Sequence, residues 1–396
     1  MAAASAVLAF LAVYADHRLH VDAWLSNGGW IYTGGEEGAR AVLSVIAGSM
    51  MTVTGVVFSI TMVTLSLTSS QFGPRLLRNF MRDTANQLVL GTFSSAFLYS
   101  ILVLRTVNGT NDAKFVPQIA VTIGVVLAVA SVAVLIYFIH HVAVSIQVMN
   151  LLAGVHSDLR AAIDNLYPER IGTTPQTSSA QFEEVSSFVG GHAVNAKTSG
   201  YVQRLDGAAL MKAAEDNGLA IRIVRKPGTF VVEGSPLAVV STRDPLDEDM
   251  KQKLRQYWII GAERSIEQDV KFGIGQLVDV ALRALSPGIN DPSTAANCID
   301  WLTAATVRLA GRTWPAAVRD DRNGVPRIFA EPETFADLVT DAFGPIRRAA
   351  SGHPDVIAKI VECLTLIQDS CTCPDDRSAV YGEISRAREA LQACGL

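Results

Sequence analysis

The sequence predicts an α-helical membrane domain of three to four transmembrane helices, followed by a cytoplasmic α+β domain that contains a small β-barrel-like subdomain and a helical C-terminal bundle. Three observations predict it. Mean hydropathy is positive, +0.28, and only 18% of the 396 residues are charged, against about 25% in ordinary soluble domains. Between residues 41 and 149 the charges fall almost entirely in two short loops. Beyond Asp158 the charge density is normal, so lipid solvates one part of the chain and water the other. The length exceeds one ordinary core, and the expected divisions are a transmembrane domain at 1–145, a helical stalk and linker at 146–180, a β-rich subdomain at 181–243 and a helical domain at 244–396.

Three stretches, 41–68, 88–104 and 119–142, lack Asp, Glu, Lys and Arg and approach the 20 or so apolar residues that a spanning helix needs. Residues 2–14 are apolar but shorter, and no basic residue precedes them as it would in a secretory signal. They read as a first spanning helix that is truncated or has a misassigned start. Orientation follows from the loop after residue 68, where Arg75, Arg78 and Arg82 stand against Asp83. Positive loops face the cytoplasm, which puts the loop at 106–118 outside and everything after His141 inside. Trp24, Trp30 and Tyr32 suit an interfacial belt or a small external cap.

The second helix carries the main functional signal. Ser44, Gly48, Thr52, Gly55, Ser59, Ser66 and Ser70 recur at helical spacing and share a face that excludes Met50, Val57, Ile60 and Leu67. In a bilayer this stripe reads either as a close helix-helix seam or as the lining of a water-filled path. Further hydroxyls at Thr61, Thr64, Thr68 and Ser69 exceed what a seam requires. About 28 apolar residues give roughly 42 Å, longer than the hydrocarbon core, so the helix tilts or projects into the cytoplasm. Arg40 and Arg105 at the outer ends snorkel or form an anion-attracting mouth, with Glu36 and Glu37 opposing the second idea. Beyond His140 and His141, which read as interfacial residues or a pH sensor, Val144, Val148, Leu151, Val155, Leu159, Ala162 and Leu166 keep the helical period up to Pro168. A continuous stalk helix is the expectation.

The run 172–179 lacks periodicity and reads as a linker. Strands are expected at 201–205, 220–225, 229–232 and 237–241, with a short helix at 207–217. The stretch 226–237, with Pro227-Gly228 and Gly234-Ser235-Pro236, resembles the strand-turn-strand of biotinyl and lipoyl carrier domains. Lacking their Met-Lys-Met, it implies a small barrel without a carrier function. From about 246 to 285 the chain reads as helical, with Asp269, Gln276, Asp279 and Arg283 along one side, Asp279 and Arg283 spaced as an i,i+4 ion pair. Asn290 and Asp291 complete a polar cluster, although Asp291 is also placed to cap the next helix with Pro292 at its first position. Further helices are expected at 292–309, 333–350, 354–370 and 375–393.

Ser69-Ser70-Gln71-Phe72-Gly73-Pro74-Arg75, Gln268-Asp269-Val270-Lys271-Phe272-Gly273-Ile274 and Ala281-Leu282-Arg283-Ala284-Leu285-Ser286-Pro287-Gly288-Ile289-Asn290-Asp291-Pro292 resemble a bacterial family of predicted integral membrane proteins grouped under domain of unknown function 2254. The resemblance covers nearly the whole chain and implies an inner-membrane location. It implies no activity. Members usually have a longer N-terminal segment, in keeping with a truncated first helix.

Several classes are disfavoured. A net charge of −5 without a basic stripe argues against nucleic acid as a partner. Cys371 and Cys373 form a C-x-C pair with no histidine nearby, so neither a metal nor another cofactor is expected. All five cysteines, with Cys298, Cys363 and Cys394, fall in the part assigned to a reducing compartment and read as free thiols. No P-loop, nucleophile elbow, H-E-x-x-H or EF-hand motif occurs, and Gly273-Ile274-Gly275 lacks the third glycine of a dinucleotide fingerprint. The expected partners are the lipid bilayer, further copies of the chain and a small ion or solute. The preferred reading is a homo-oligomeric channel or transport-related protein gated by its cytoplasmic domain; the rival is a membrane-anchored regulator or scaffold.

Overall fold

The computed structural model describes residues 1–18, 32–72, 84–107, 115–145, 147–167, 191–242 and 246–394, without the side chains of 68–72 and 145. Arg75, Arg78, Arg82 and Asp83, Trp24 and Trp30, and the linker at 172–179 lie outside the described residues. The chain divides into two compact units, Met1–Asn150 and Leu151–Leu396.

The first unit is all helical: α1 (Ala2–Arg18), α2 (Glu36–Phe72), α3 (Thr84–Leu104) and α4 (Gln118–Ser145). Three of these are long and apolar enough to cross a membrane, over Glu36–Leu67, Thr84–Leu104 and Gln118–Val144. Lipid offers no partner for peptide groups, so each segment satisfies its own backbone as a helix. α3 is central, packing on α1, α2 and α4. One cluster joins Ala9, Ala12, Leu43, Tyr99 and Ala120; a second joins Met50, Val57, Phe93 and Phe138. Polar ties lock the first. The buried Tyr99 hydroxyl donates to the Ala120 carbonyl at 2.9 Å, and the Asp16 carboxylate accepts the Ile119 and Ala120 amides at 2.9 Å each. Asp16 thereby satisfies amides that the first turn of α4 leaves without helical partners. Small residues at Ala9 and Ala12 let α1 lie close against its neighbours.

The expected continuous stalk is corrected. α4 stops at Ser145 and a separate helix, α5 (Val148–Leu166), follows. Asn150 Nδ2 and the Gln147 amide both donate to the Val144 carbonyl, at 2.8 and 3.2 Å, meeting an acceptor that the end of α4 leaves open. Apolar spacing carries through such a break unchanged, because no glycine or proline marks it. α5 then buries Leu152, Val155, Leu159, Ala162 and Ile163, and a Cβ at Gly273 would approach Leu159 to 2.9 Å. It is a packed element of the second unit.

In that unit β1 (His192–Asn195), β2 (Gly200–Leu205), α6 (Gly207–Asp216), β3 (Ala220–Ile223), β4 (Phe230–Val231) and β5 (Pro236–Ser241) come first. There follow α7 (Glu248–Arg255), β6 (Trp258–Gly261), a 3₁₀ turn at Ile266–Gln268, α8 (Val270–Ala284), α9 (Pro292–Ala310), β7 (Val318–Asp320) and β8 (Pro326–Phe329). The chain ends in α10 (Phe335–Ala349), α11 (Pro354–Ser370) and α12 (Pro374–Ala393). The expected barrel is replaced by two open sheets, one ordered β1-β5-β3-β8-β7 and one ordered β4-β2-β6. In the larger sheet β3 and β8 run parallel and the other pairs antiparallel.

The helical reading of 246–285 is likewise corrected, since β6 interrupts it and pairs with β2. Trp258-Ile259-Ile260 before Gly261 carries β-branched and aromatic residues at strand length. β7 and β8 arise in the connection between the helices expected at 292–309 and 333–350. The dipeptide Asn323-Gly324 is the hairpin signal there, and Gly324 takes a positive φ of 75° as such a turn requires. The later helices form a bundle in which α8 packs on α9 and α10, and α11 on α9 and α12.

Candidate functional site

The inward stripe of α2 is Ala39, Leu43, Ile46, Ala47, Met50, Val57 and Thr64, all buried within the first unit. Ser44, Gly48, Thr52, Gly55, Ser59 and Ser66 are exposed; the Ser70 side chain lies outside the described residues. A Cβ added at Gly48 or Gly55 would meet nothing within 4 Å. The small and hydroxyl residues therefore leave the protomer on its outer side. Their hydroxyls do not depend on water: Thr52 Oγ1 donates to the Gly48 carbonyl at 3.0 Å and Thr61 Oγ1 to the Val57 carbonyl at 2.8 Å. Thr64, counted with this stripe by sequence, is an interior residue at 3% exposure. Arg40 is occupied, held by Glu36 at 3.1 Å and donating to the Val107 carbonyl at 2.9 Å. His141 stacks on Tyr137 one turn earlier, with ring centroids 5.6 Å apart.

The polar cluster expected in the second unit is drawn apart. Asp269 precedes α8 and Asn290-Asp291 precede α9, with α8 in between. Fifteen helical residues at 1.5 Å each separate the two ends of α8 by roughly 22 Å. Asp269 is buried; its Oδ1 accepts the Phe272 amide at 3.0 Å and its Oδ2 takes Arg264 Nη2 at 2.6 Å. Burial raises its pKa, against the opposing pull of Arg264. Gly228, at φ 87°, passes so near Asp269 that any Cβ would collide with the carboxylate. Asp291 caps α9, accepting the Thr294 amide at 3.0 Å and its hydroxyl at 2.6 Å, with Pro292 in the first turn. These contacts occupy both of its carboxylate oxygens as acceptors and lower its pKa. Gln276 is buried in α8, Asp279 exposed, Arg283 half-buried and Asn290 exposed with φ 52°.

Sequence reasoning did not find the cavity of the second unit. It has a volume of about 600 Å³ and lies between the end of α5, the Lys226-Pro227 turn and the segments flanking the β7-β8 hairpin. Trp314 forms one wall, its ring 4.8 Å from Tyr167 and 6.3 Å from Phe335. Tyr167 hydrogen-bonds Glu333, whose pKa burial raises while Lys271 and Lys226 pull it down. Lys226 Nζ donates to the Glu331 carbonyl at 3.0 Å. Arg319 stands beside Gly207, its Nη1 3.8 Å from where a Cβ would lie. Neighbouring protein lowers its pKa by desolvation although the residue keeps an open surface. These side chains come from segments far apart in sequence, so no local pattern announces them.

The sequence profile of a family described as predicted membrane protein (DUF2254) matches residues 1–365. The chain belongs to this family. Two relatives are uncharacterised proteins of Mycobacterium tuberculosis and Mycobacterium bovis, each 36% identical over 359 residues, covering 89% of this chain and 68% of theirs. No solved structure matches. Membership in DUF2254 agrees with the resemblance read from the three motifs and makes the protein a membrane protein, with the bilayer as solvent for its three apolar helices. Of the two motifs described in full, Gln268–Ile274 supplies the Asp269 cap and Ala281–Pro292 the turn into α9.

Proposed function

We propose that this DUF2254 protein is a homo-oligomeric channel or transport-related protein of the bacterial inner membrane, with its C-terminal unit in the cytoplasm as the gate. Subunits meet along the Ser44, Gly48, Thr52, Gly55, Ser59 and Ser66 face of α2, and symmetry closes that face around a path for a small ion or solute. One observation carries the reading: within the protomer the glycines and hydroxyls of α2 stay uncovered, on a surface they share with exposed apolar residues such as Val45, Met51 and Met62.

The second reading is a membrane-anchored regulator whose cytoplasmic unit binds a ligand, and the 600 Å³ cavity favours it. Purified protein in liposomes separates the two. A conduit passes ions or small solutes, and Thr52→Leu or Ser59→Leu lowers the flux at least several-fold while the protein still inserts. Absence of flux, with both variants behaving as the parent in cells, leaves the regulator.

A further inference from the structure

We propose that the cavity of the second unit binds a small organic anion, a phosphate or carboxylate group carried on an apolar or ring-bearing body. The argument is independent of α2 and rests on an inventory of donors and acceptors. Among the described residues Trp314 Nε1 is buried without a hydrogen-bond partner, and an indole nitrogen can only donate. The Arg319 side chain makes no hydrogen bond or ion pair among the described residues, yet its guanidinium offers a planar fork of donors suited to a carboxylate or phosphate. Two of the side-chain acceptors on the same wall are engaged. Gln268 Oε1 accepts the Leu205 amide at 2.8 Å, its Nε2 donates to the Leu205 carbonyl at 3.3 Å, and Glu333 takes the Tyr167 hydroxyl.

The cavity thus has donors to spare, and its natural complement is an acceptor-rich ligand. Lys226 adds a cation at the same wall, and Glu331 and Glu333 are the acids that face it. With acids and bases balanced in number, net attraction does not select the ligand; the unmet donors do. A cationic ligand would confront Arg319 and leave Trp314 unpaired. The volume falls within the usual range of about 300–1,000 Å³ for small-molecule sites, too large for a bare inorganic ion to fill. Leu166, Ile223 and Ala330 supply apolar lining for the body that carries the acid group.

The test uses the full chain in detergent and follows tryptophan fluorescence and thermal shift. Adenosine monophosphate and 1-naphthoate are the acid-bearing probes, adenosine and 1-naphthalenemethanol their neutral analogues, and inorganic phosphate the free-ion control. The expected result is saturable binding of at least one acid-bearing probe, tighter than its neutral analogue and than inorganic phosphate. Which probe binds better tells phosphate from carboxylate. Arg319→Gln should weaken binding about tenfold or more, as loss of a charged hydrogen bond does. Trp314→Phe, which keeps a ring and removes only the donor, should weaken it about fivefold. Should Arg319→Gln fail to fold, Arg319→Lys keeps the charge, drops the fork and must still weaken binding. Three results overturn the proposal: no binding of either acid-bearing probe at about 1 mM, equal or tighter binding of the neutral analogues or inorganic phosphate, or affinities unchanged by the Arg319 and Trp314 substitutions.

Discussion

Asp164 on α5 receives both prongs of Arg308 on α9, Nε at 2.6 Å and Nη2 at 2.8 Å. Arg312, just beyond the end of α9, reaches the same carboxylate at 2.5 Å. The three residues fasten the first helix of the second unit to its helical bundle. Arg312 is only 8% exposed, so removing the carboxylate takes the counter-charge from a buried cation rather than loosening a surface pair. Asp164→Ala should therefore cost about 1–3 kcal/mol, more than the 0–1 of an exposed ion pair. Hydrogen exchange should show α5 losing protection first.

The same carboxylate sets an acid limit. Its pKa lies below the ordinary value because of the Arg308 hydrogen bond first, with Arg312 and Arg160 adding attraction. A depressed folded-state pKa contributes stability that is complete above the unfolded value, about 4, and is lost as pH falls through the folded one. Thermal scans between pH 7 and 3 should show the parent losing stability below about pH 4 more steeply than Asp164→Asn. Identical slopes would show that the pair contributes nothing in solution.

Gly228 and Asp269 must both be kept. Gly228→Ala places a Cβ into the carboxylate and forces a side chain at φ 87°, where an L-residue pays roughly 1–2 kcal/mol before any clash. A loss of about 3 kcal/mol or more is expected. Asp269→Asn retains a side chain able to cap α8 but drops the Arg264 pair, so it should cost less than Asp269→Ala. Denaturant titration of the four proteins checks the order.

The β7-β8 turn is centred on Asp321. Its Oδ1 accepts the Asn323 and Val325 amides at 2.9 Å each and its Oδ2 the Arg327 Nε at 2.9 Å. Asp321→Ala should lower stability by removing the acceptor these donors share, and Gly324→Ala should cost about 1 kcal/mol through its positive φ. The larger sheet would lose its outer hairpin, visible as reduced strand content and lower thermal stability.

Thiol reactivity should divide by burial. Burial pushes the Cys298 thiol up to about 12 and Cys371 up to about 11, Asp291 and Asp376 adding to the respective shifts. Cys373 and Cys394 are partly exposed. In the native protein a maleimide should modify Cys373 and Cys394 within minutes and leave Cys298 unmodified until the unit unfolds. Mass spectrometry of the labelled peptides reads this directly.

On α2 the expectation is opposite in sign to a core position. Gly48→Leu and Gly55→Leu add side chains where nothing lies within 4 Å, so the protomer should fold and insert as before while the association state changes. Leu43→Ala, inside the first cluster, should instead destabilise the protomer by about 2–5 kcal/mol. Cross-linking in membranes, with thermal stability in detergent, separates the two effects.

The three spanning helices, the strands β2 to β5 and the last four long helices were legible in the sequence, because each is fixed locally: by apolar length in lipid, by alternation between turn residues, or by caps such as Asp291 with Pro292. Membership of the DUF2254 family was legible for the same reason, since its motifs are contiguous runs. Tertiary structure alone decided the rest. Which face of α2 is inward depends on the side chains of α3 and α4 that meet it. The expected barrel became two open sheets because β8, more than a hundred residues away in sequence, pairs parallel to β3. Asp269 and Asp291, joined by proximity in sequence, are parted by the rigid length of α8. Lys226, Trp314 and Arg319 share a cavity because six separate segments fold together, and periodicity carries no record of contacts between residues so far apart.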